Sequence, residues 1–251
     1  MELLIFIGLS LALIAGITVV ENRRNPGSND WRINLQSWVI NTAIAMAFAQ
    51  YWPRWMGGSL IDAATLPLWL AVPLYLVVRD FFEWLFHLAQ HRVPVLWAMH
   101  SLHHSDEEMT ALTTNRHFWG DQLIKALTIW SAASMVVRGT ETLAYIYAAV
   151  GLYHYFVHAR LHVDFGRLSW LLNCPAYHRR HHSRLPEHYD SNLAALFPIW
   201  DVMFGTYRRP DGWPPCGLDE GRPRSFRELL NWPLRHRLRQ AQNTKPSPSE
   251  A

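Results

Sequence analysis

The chain has 251 residues, of which 50% are hydrophobic, 13 are Trp and 14 are His, and its formal net charge is +3. No dense Lys/Arg run of the kind that binds phosphate backbones is present, so the composition argues against nucleic acid as a partner. Two cysteines, Cys174 and Cys216, are too few for a disulfide framework, and we expect reduced thiols.

Apolar runs alternate with polar blocks, and the first run has the length of a membrane helix. Residues 3–20 form an uncharged run of 18, which is long enough to span a bilayer. Arg23 and Arg24 follow this run, so the positive-inside rule places the N-terminus outside and these arginines in the cytoplasm. Further membrane segments are predicted at residues 33–51, 63–78, 123–137 and 143–157; the last two form a hairpin whose complete crossing stays open.

Together these segments predict an all-α integral membrane protein with about four to five membrane segments. The predicted regions are N-terminal membrane helices at 1–79, a histidine-rich catalytic region at 80–208 that includes the membrane hairpin at about 122–158, and a polar C-terminal tail at 209–251. The same orientation places the histidine-rich region, as a helical cap, and the C-terminus in the cytoplasm. A soluble protein with the apolar runs as its core is the alternative, which the flanking Trp and Arg residues disfavour.

Ten of the 14 histidines fall into four short blocks. Residues three and four apart share one helix face, so each block directs its imidazoles to one side. Neutral imidazole binds Zn, Cu, Fe and Ni, and ten such groups exceed the needs of one four-ligand zinc site. The pattern therefore predicts two metal ions, each with about five nitrogen ligands and an open position. The blocks are HLAQH (His87, His91), HSLHH (His100, His103, His104), HYFVH (His154, His158) and HRRHH (His178, His181, His182).

Two further histidines are doubtful ligands. His117 stands alone in the sequence, and His162 only continues the spacing of the third block. A lone histidine on an amphipathic helix is more often structural than a ligand. Arg179 and Arg180, inside the fourth block, are predicted to point away from the metals, toward solvent or lipid headgroups.

Polar side chains near the blocks are candidates to accept the free N–H of a ligand imidazole, which would fix the tautomer and raise the basicity of the ring. Alternatively, Asp80 and Glu83 are charges at a membrane interface, and the candidates that follow them in the chain are turn or cap residues. The candidates are Asp80, Glu83, Asp190, Asn192 and Asp201.

The blocks and their surroundings resemble the fatty acid hydroxylase/sterol desaturase superfamily of histidine-rich membrane enzymes. The resemblance runs from about Asp80 to Tyr207 and includes LWAMHSLHHSDEEMTALTTNR around the second block. It continues through CPAYHRRHHSRLPEHYDSNLAALFPIWDVMFGTY around the fourth block. The chain departs from the family pattern at His117-Phe118, at His158-Ala159-Arg160 and at Leu88, which leaves subfamily and substrate open.

The resemblance implies a non-haem di-iron oxygenase that hydroxylates or desaturates an unactivated C–H bond of a fatty acyl, sterol-like or isoprenoid lipid. It implies two Fe ions held by the ten block histidines, with Zn able to replace them in purified protein, and no catalytic residue beyond these ligands. O2 is the implied co-substrate, and electrons come from a separate reductase, ferredoxin or cytochrome b5-like donor. The lipid would enter from the bilayer.

Two other functions stay open. A membrane zinc-dependent hydrolase would need a carboxylate base inside a block, and no H-E-x-x-H pattern is present. A non-enzymatic haem- or metal-binding membrane protein is the other alternative. Metal transport would favour ionisable residues along the membrane segments, and those segments carry almost none.

Overall fold

The computed structural model describes residues 2–24, 31–49 and 58–236. Residues 50–51 of the second predicted membrane segment and 237–251 of the predicted tail lie outside these ranges. The side chains of residues 2–7, at the start of the first predicted segment, lie outside the description as well.

The described residues are mostly helical, which confirms the all-α prediction. The α helices in chain order are α1 (Glu2–Arg24), α2 (Trp31–Ala49), α3 (Leu68–Arg92), α4 (Pro94–His104), α5 (Trp119–Lys125), α6 (Ser131–Val136), α7 (Glu141–His158), α8 (Pro175–His181), α9 (Ile199–Phe204) and α10 (Phe226–Leu230). A π-helical turn at Ala126–Trp130 joins α5 to α6. Short 3-10 turns lie at Ala63–Thr65, Ala111–Asn115, Gly166–Leu168 and Pro186–His188. A minimal parallel sheet pairs β1 (Ile61–Asp62) with β2 (Val137–Arg138), in the register Ile61↔Val137.

Among the described residues, no helix combines the length and the low polarity that crossing a bilayer requires. The predicted membrane segments are therefore not confirmed, and two of their boundaries differ from the helices. The segment predicted at 63–78 is divided, because α3 begins at Leu68 and continues to Arg92, where it carries the first histidine block. The segment predicted at 123–137 is divided among α5, the π turn and α6.

Local sequence signals explain where several helices begin and end. Pro94 and Pro175 stand at the first positions of α4 and α8, where the missing N–H costs no helical hydrogen bond. Gly205, in the left-handed conformation at φ 79°, ends α9. Thr140 caps α7, since its side chain accepts the N–H of Leu143. The two prolines thus fix where the helices of the second and fourth blocks begin, and Thr140 fixes where the helix of the third block begins.

Part of the predicted polar tail folds back onto the helices. Leu229 and Trp232 are buried in one apolar cluster with Ile33 of α2 and Leu102 of α4. The indole N–H of Trp232 donates to Oγ of Ser101 at 2.9 Å. Residues up to 236 thus cover α4 beside the second histidine block, whereas the division of the chain into three regions stays a prediction.

Candidate metal centre

Four helices bring the histidine blocks to one place in the interior. The first block lies on α3, the second on α4, the third on α7 and the fourth on α8, with His182 at the C-terminal cap of α8. Val93 alone separates α3 from α4, so the first two blocks are held in a short helical hairpin. The third and fourth blocks meet because α7 and α8 pack against each other.

Nine of the ten block histidines form two groups in which the candidate ligand nitrogens all lie within 4.8 Å of one another. Neighbours in sequence belong to different groups, because adjacent residues on a helix point about 100° apart. The rings of His104 and His182, one from each group, stack with centroids 4.4 Å apart, so the two groups adjoin. The first group is His87, His91, His100, His104 and His181, and the second group is His103, His158, His178 and His182.

Backbone carbonyls set the orientation of three rings. Nδ1 of His87 lies 2.6 Å from the carbonyl oxygen of Leu193, and Nδ1 of His181 lies 2.9 Å from that of Ser191. A carbonyl can only accept, so Nδ1 carries the proton and the Nε2 lone pair is free for a metal. His158 is held in the same way by the carbonyl of His154, at 2.8 Å.

The free nitrogens converge in the manner that a bound cation requires. Nε2 of His158 lies 3.1 Å from Nε2 of His103 and 3.0 Å from Nε2 of His178. In the first group, Nε2 of His181 and of His104 are buried and have no hydrogen-bond partner among the described residues. Buried polar atoms normally find a partner, and a set made only of imidazole nitrogens suits a transition metal. The residues present therefore fit two such ions.

Burial keeps these imidazoles neutral. Desolvation lowers the pKa of His104 and of His182 well below the usual range, and the neighbouring imidazoles lower it further. The pKa of His158 is lowered to about 3, mainly by burial. Neutral imidazole is the form that binds metal, so the groups are prepared for ligation at neutral pH.

Three predicted or doubtful ligands have different places. His154 lies outside both groups, and its ring lines a cavity beside them. The ring of His117 stacks on His103 with centroids 4.5 Å apart and planes 9° apart, and with His100 and Asp121 it forms a third set of candidate ligands. His162 packs against Trp213 instead, with centroids 4.1 Å apart. His117 thus lies closer to the site than its isolated position in the sequence indicated.

Asp190 is the predicted supporting residue that contacts a grouped histidine. Its Oδ1 lies 3.4 Å from Nδ1 of His91, and its Oδ2 lies 3.6 Å from Nε of Arg92. The hydrogen bond from His91 lowers the pKa of the carboxyl group, which stays ionised. An ionised acceptor at Nδ1 directs Nε2 of His91 into the first group.

Asp201 supports the first group through the backbone rather than through a ring. Its fully buried carboxylate accepts the N–H of Leu193 at 3.0 Å, that of Ala194 at 2.7 Å and the indole N–H of Trp84 at 3.2 Å. Leu193 is the residue whose carbonyl orients His87. Asp201 therefore fixes the backbone whose carbonyl orients the candidate ligand His87. The sequence pattern predicted a direct contact between Asp201 and an imidazole instead.

Asp80 and Asn192 also bind the backbone around this segment. Asp80 accepts the N–H of Leu196 at 2.8 Å and the indole N–H of Trp200 at 2.9 Å. Asn192 accepts the N–H of Arg208 at 2.7 Å and donates to the carbonyl of the same residue at 2.9 Å. Neither side chain has a hydrogen bond to a histidine nitrogen among the described residues, because each is occupied by the segment that follows the fourth block.

Arg179 and Arg180 were predicted to point away from the metals, toward solvent or lipid headgroups, and the structure agrees with the direction but not with the exposure. Both point away from the histidine groups, but both are buried. The guanidinium of Arg179 stacks 4.5 Å from the ring centroid of Trp213 and donates from Nε to the carbonyl of Pro214 at 2.9 Å. Arg180 pairs with Asp211. The segment that follows residue 210 covers a surface that the sequence pattern assigned to solvent or headgroups.

Among the cavities formed by the described residues, two adjoin the histidine groups. The inner cavity, of about 250 Å³, touches both groups; the outer cavity, of about 320 Å³, touches the first group alone. The outer cavity is lined by His91, His104, His181, Asp190, Asp219 and Glu220. The inner cavity has apolar walls from the π turn and α7, formed by Trp130, Tyr147, Val150 and Gly151.

Glu83, the remaining predicted supporting residue, lies in the wall of the inner cavity. Its Oε1 accepts the indole N–H of Trp130 at 2.6 Å and the hydroxyl of Tyr147 at 2.8 Å, and its Oε2 pairs with Lys125. Burial alone would raise the pKa of Glu83, but Lys125 and the two hydrogen bonds outweigh burial and hold that pKa at about 2. This residue is an ionised wall charge rather than an acceptor for an imidazole.

Sequence reasoning missed Glu21 at the end of α1. Its fully buried carboxylate accepts the backbone N–H of Ala111 at 3.1 Å and that of Arg160. It thereby joins the chain just after the second block to the chain just after the third block. The available signal was an acidic residue placed directly after a long uncharged run.

The order and spacing of these histidines match a known family. The model of the family described as fatty acid hydroxylase matches residues 72–206, which contain all ten block histidines. The chain belongs to the fatty acid hydroxylase family. This result confirms the resemblance drawn from the motifs.

Relatives of the fatty acid hydroxylase family share this part of the chain. The chain is 32% identical over 184 residues to an alkylglycerol monooxygenase of Xenopus tropicalis, and the aligned residues cover 71% of this chain and 41% of the relative. It is 30% identical over 131 residues to the human alkylglycerol monooxygenase, with 51% of this chain and 28% of the relative covered. It is 26% identical over 144 residues to an ornithine lipid hydroxylase of Rhizobium tropici, with 57% of this chain and 44% of the relative covered. The chain thus spans less than half the length of these relatives, and no solved structure matches it.

Proposed function

We propose that this chain is a membrane-bound, non-haem di-iron oxygenase that hydroxylates an unactivated C–H bond of a lipid, using O2 and electrons from a separate protein. The observation that carries the proposal is the convergence of nine imidazoles into two adjoining groups that share one inner cavity. The relatives are named as a monooxygenase of alkylglycerols and a hydroxylase of ornithine lipids. Those names favour hydroxylation over desaturation.

The two histidine groups would hold the two Fe ions. When bound, the two ions supply the electrons that break the O–O bond and the oxidant that attacks the C–H bond. The grouped imidazoles, kept neutral by burial, provide the lone pairs. The carbonyls of Leu193 and Ser191 hold two rings of the first group in the correct tautomer, and the carbonyl of His154 does so for the second group.

The inner cavity would hold the reacting part of the lipid. Its apolar wall, formed by Trp130, Tyr147 and Val150, suits methylene groups and keeps water away from the reacting carbon. We propose that the lipid reaches this cavity from a bilayer, with the N-terminus outside and the histidine groups on the cytoplasmic side. Large exposed apolar side chains on α1, including Leu9 and Leu11, support a membrane location.

The alternative functions have weaker support. A zinc-dependent hydrolase that works in the inner cavity needs a free general base there, yet Glu83, the carboxylate that lines this cavity, is tied to three partners and has a pKa of about 2. A haem protein needs one or two axial histidines beside a space that fits a macrocycle, whereas here nine imidazoles converge directly on one another.

Anaerobic purification followed by metal analysis and Mössbauer spectroscopy tests the proposal. We expect two irons per chain that are antiferromagnetically coupled when oxidised, and a lipid product that gains one oxygen atom from O2. Zinc alone together with esterase activity would refute the proposal, and so would a haem absorption band.

A further inference from the structure

One ion pair stands in the wall of the inner cavity. Apart from histidines, Glu83 and Lys125 are the charged residues among the described residues that line it. The same cavity is lined by His87 and His100 of the first group and by three histidines of the second group. A charged pair and the candidate metal ligands therefore face the same small space.

The carboxylate of this pair is fully used by the protein. Oε1 of Glu83 accepts two hydrogen bonds, from Trp130 and Tyr147, and Oε2 pairs with Lys125. The guanidinium of Arg79 lies 4.7 Å from the ring centroid of Tyr147 and 5.4 Å from that of Trp130, which restrains both rings. Because both carboxylate oxygens of Glu83 already have protein partners, Glu83 positions Lys125 rather than binding a ligand itself.

The ammonium group of Lys125 has spare capacity. A lysine has three N–H donors and no acceptor. Glu83 is its charged partner among the described residues, and the ring of Trp130 lies 5.7 Å from Nζ. The π turn begins directly after Lys125 and ends at Trp130, so both residues line the same cavity although they are five positions apart. Single π turns recur at functional sites, where they aim side chains that a regular helix would direct elsewhere.

We propose that Lys125, held in place by Glu83, binds the polar group of the lipid substrate beside the carbon that is hydroxylated. This inference rests on the proposed lipid hydroxylation. The ammonium group of Lys125 can only donate, so the group that it binds is an oxygen acceptor of the lipid, such as an ether or hydroxyl oxygen. The substrate class is therefore a lipid whose polar head carries an oxygen acceptor close to the carbon that is hydroxylated.

The size of the cavity sets the position of the reaction. At about 250 Å³ it is smaller than the roughly 300–1,000 Å³ of pockets that enclose a whole ligand. An oxygen atom bound by Lys125 and a carbon facing the histidines must then belong to one short stretch of the lipid. Hydroxylation occurs near the polar head, and the long alkyl chain leaves the cavity along the apolar wall of Trp130 and Val150.

The decisive variant is the double substitution Glu83→Gln/Lys125→Met in the iron-loaded full chain. Removing both charges together avoids a buried unpaired charge, which a single substitution would leave. The matched control is Asp62→Asn/Arg138→Met, which removes an exposed ion pair outside the cavity. The probes are 1-O-hexadecylglycerol, which has neutral oxygen acceptors, and hexadecane, which has none. Native mass spectrometry measures binding, and mass spectrometry of the products locates the new hydroxyl group.

We expect the unmodified chain to bind hexadecylglycerol more tightly than hexadecane and to hydroxylate it at the carbons next to the ether oxygen. The cavity double variant should lose about tenfold or more in affinity for hexadecylglycerol, as expected for a lost hydrogen bond to a charged donor. Its affinity for hexadecane should not change, and its products should spread along the chain. The control variant should behave as the unmodified chain, and Lys125→Arg should restore part of the preference.

The outcomes separate this inference from the proposed function. If the double variant keeps its affinity for hexadecylglycerol and the position of hydroxylation, the role of Lys125 is refuted while the hydroxylase function stands. If the unmodified chain binds the probe through Lys125 but oxidises no lipid, the hydroxylase proposal fails and the binding site stands. If the cavity double variant loses as much thermal stability as the control variant and binds hexadecylglycerol with unchanged affinity, the Glu83–Lys125 pair has a structural role only.

Discussion

The two histidine groups are oriented by different parts of the molecule. In the first group, the acceptors at Nδ1 of His91, His181 and His87 come from one loop, through Asp190 and the carbonyls of Ser191 and Leu193. Nδ1 of His100 has no hydrogen-bond partner among the described residues. In the second group, His158 is oriented by a carbonyl of its own helix, and Nδ1 of His178 has no hydrogen-bond partner among the described residues. The first group therefore depends on long-range loop contacts, whereas the second depends on helix packing.

The two groups also differ in access. Three histidines of the first group, His91, His104 and His181, line the outer cavity. All four members of the second group are buried and face the inner cavity or their neighbours. We expect substitutions in the segment at 190–201, which includes the first turn of α9, to weaken the first metal and to leave the second in place. The following changes test that difference.

Removing a ligand should have the largest effect. His181→Ala removes a ring of the first group and His103→Ala removes one of the second, so each variant should lose one of the two metals and all lipid hydroxylation. Metal analysis of the purified chain and product analysis measure both effects. His162→Ala, which removes a ring that packs against Trp213, is the control and should keep both metals. Full turnover in either ligand variant would refute the assignment.

Asp201→Ala should have the next largest effect. It leaves the buried N–H groups of Leu193 and Ala194 without their acceptor, and hydrogen bonds to charged groups contribute about 1.5–3 kcal/mol each. We expect the free energy of unfolding to fall by about 3 kcal/mol, measured by denaturant titration, with preferential loss of the first metal. Equal loss from both groups would show that the loop does not support the first group alone.

Asp190→Asn should weaken the first metal without unfolding the chain. The amide oxygen of Asn can still accept the N–H of His91, but the negative charge that raises the basicity of the ring is lost, and changes to such a partner of a ligand histidine typically lower metal affinity about 10- to 100-fold. Chelator competition should then release one metal of the two more readily. Asp164→Asn is the matched control, since Asp164 is exposed and accepts the N–H of Gly166, at 2.8 Å, away from both groups. Weakening of both metals to the same degree would contradict the separation of the groups.

His154→Ala should have the smallest effect on metal content. The ring of His154 lies outside both groups, and the carbonyl that orients His158 belongs to the backbone and survives the substitution. Metal analysis should find both ions retained, while product formation changes because the ring lines the inner cavity. Loss of a metal from this variant would restore His154 to the ligand set that the sequence predicts.

Local spacing explains why much of the site could be predicted from the sequence. The i, i+3 and i+4 pattern places His100, His103 and His104 on one side of α4, and Pro175 marks the start of α8. Both relations depend on a few adjacent residues and on backbone geometry. The bounds of the segment predicted at 63–78 differ from those of α3, because the helix that starts at Leu68 runs on through the polar residues Asp80 and Glu83.

The interior partners of polar residues could not be predicted in the same way. Glu21 meets Arg160 across 139 positions, and Asp80 meets Trp200 across 120 positions. The burial of Arg179 and Arg180 depends on the segment around Trp213 and Asp211, whose position no local pattern indicates. Such contacts arise only when distant segments pack.

The sequence by itself determined the family and the four helical blocks of imidazoles, because side-chain type and helical periodicity are local properties. Only the tertiary structure decided how the blocks divide. His103 joins His158, 55 positions away, while its neighbour His104 joins the first group. Adjacent side chains on a helix diverge by about 100°, so the group that each one enters depends on which helix packs against its face.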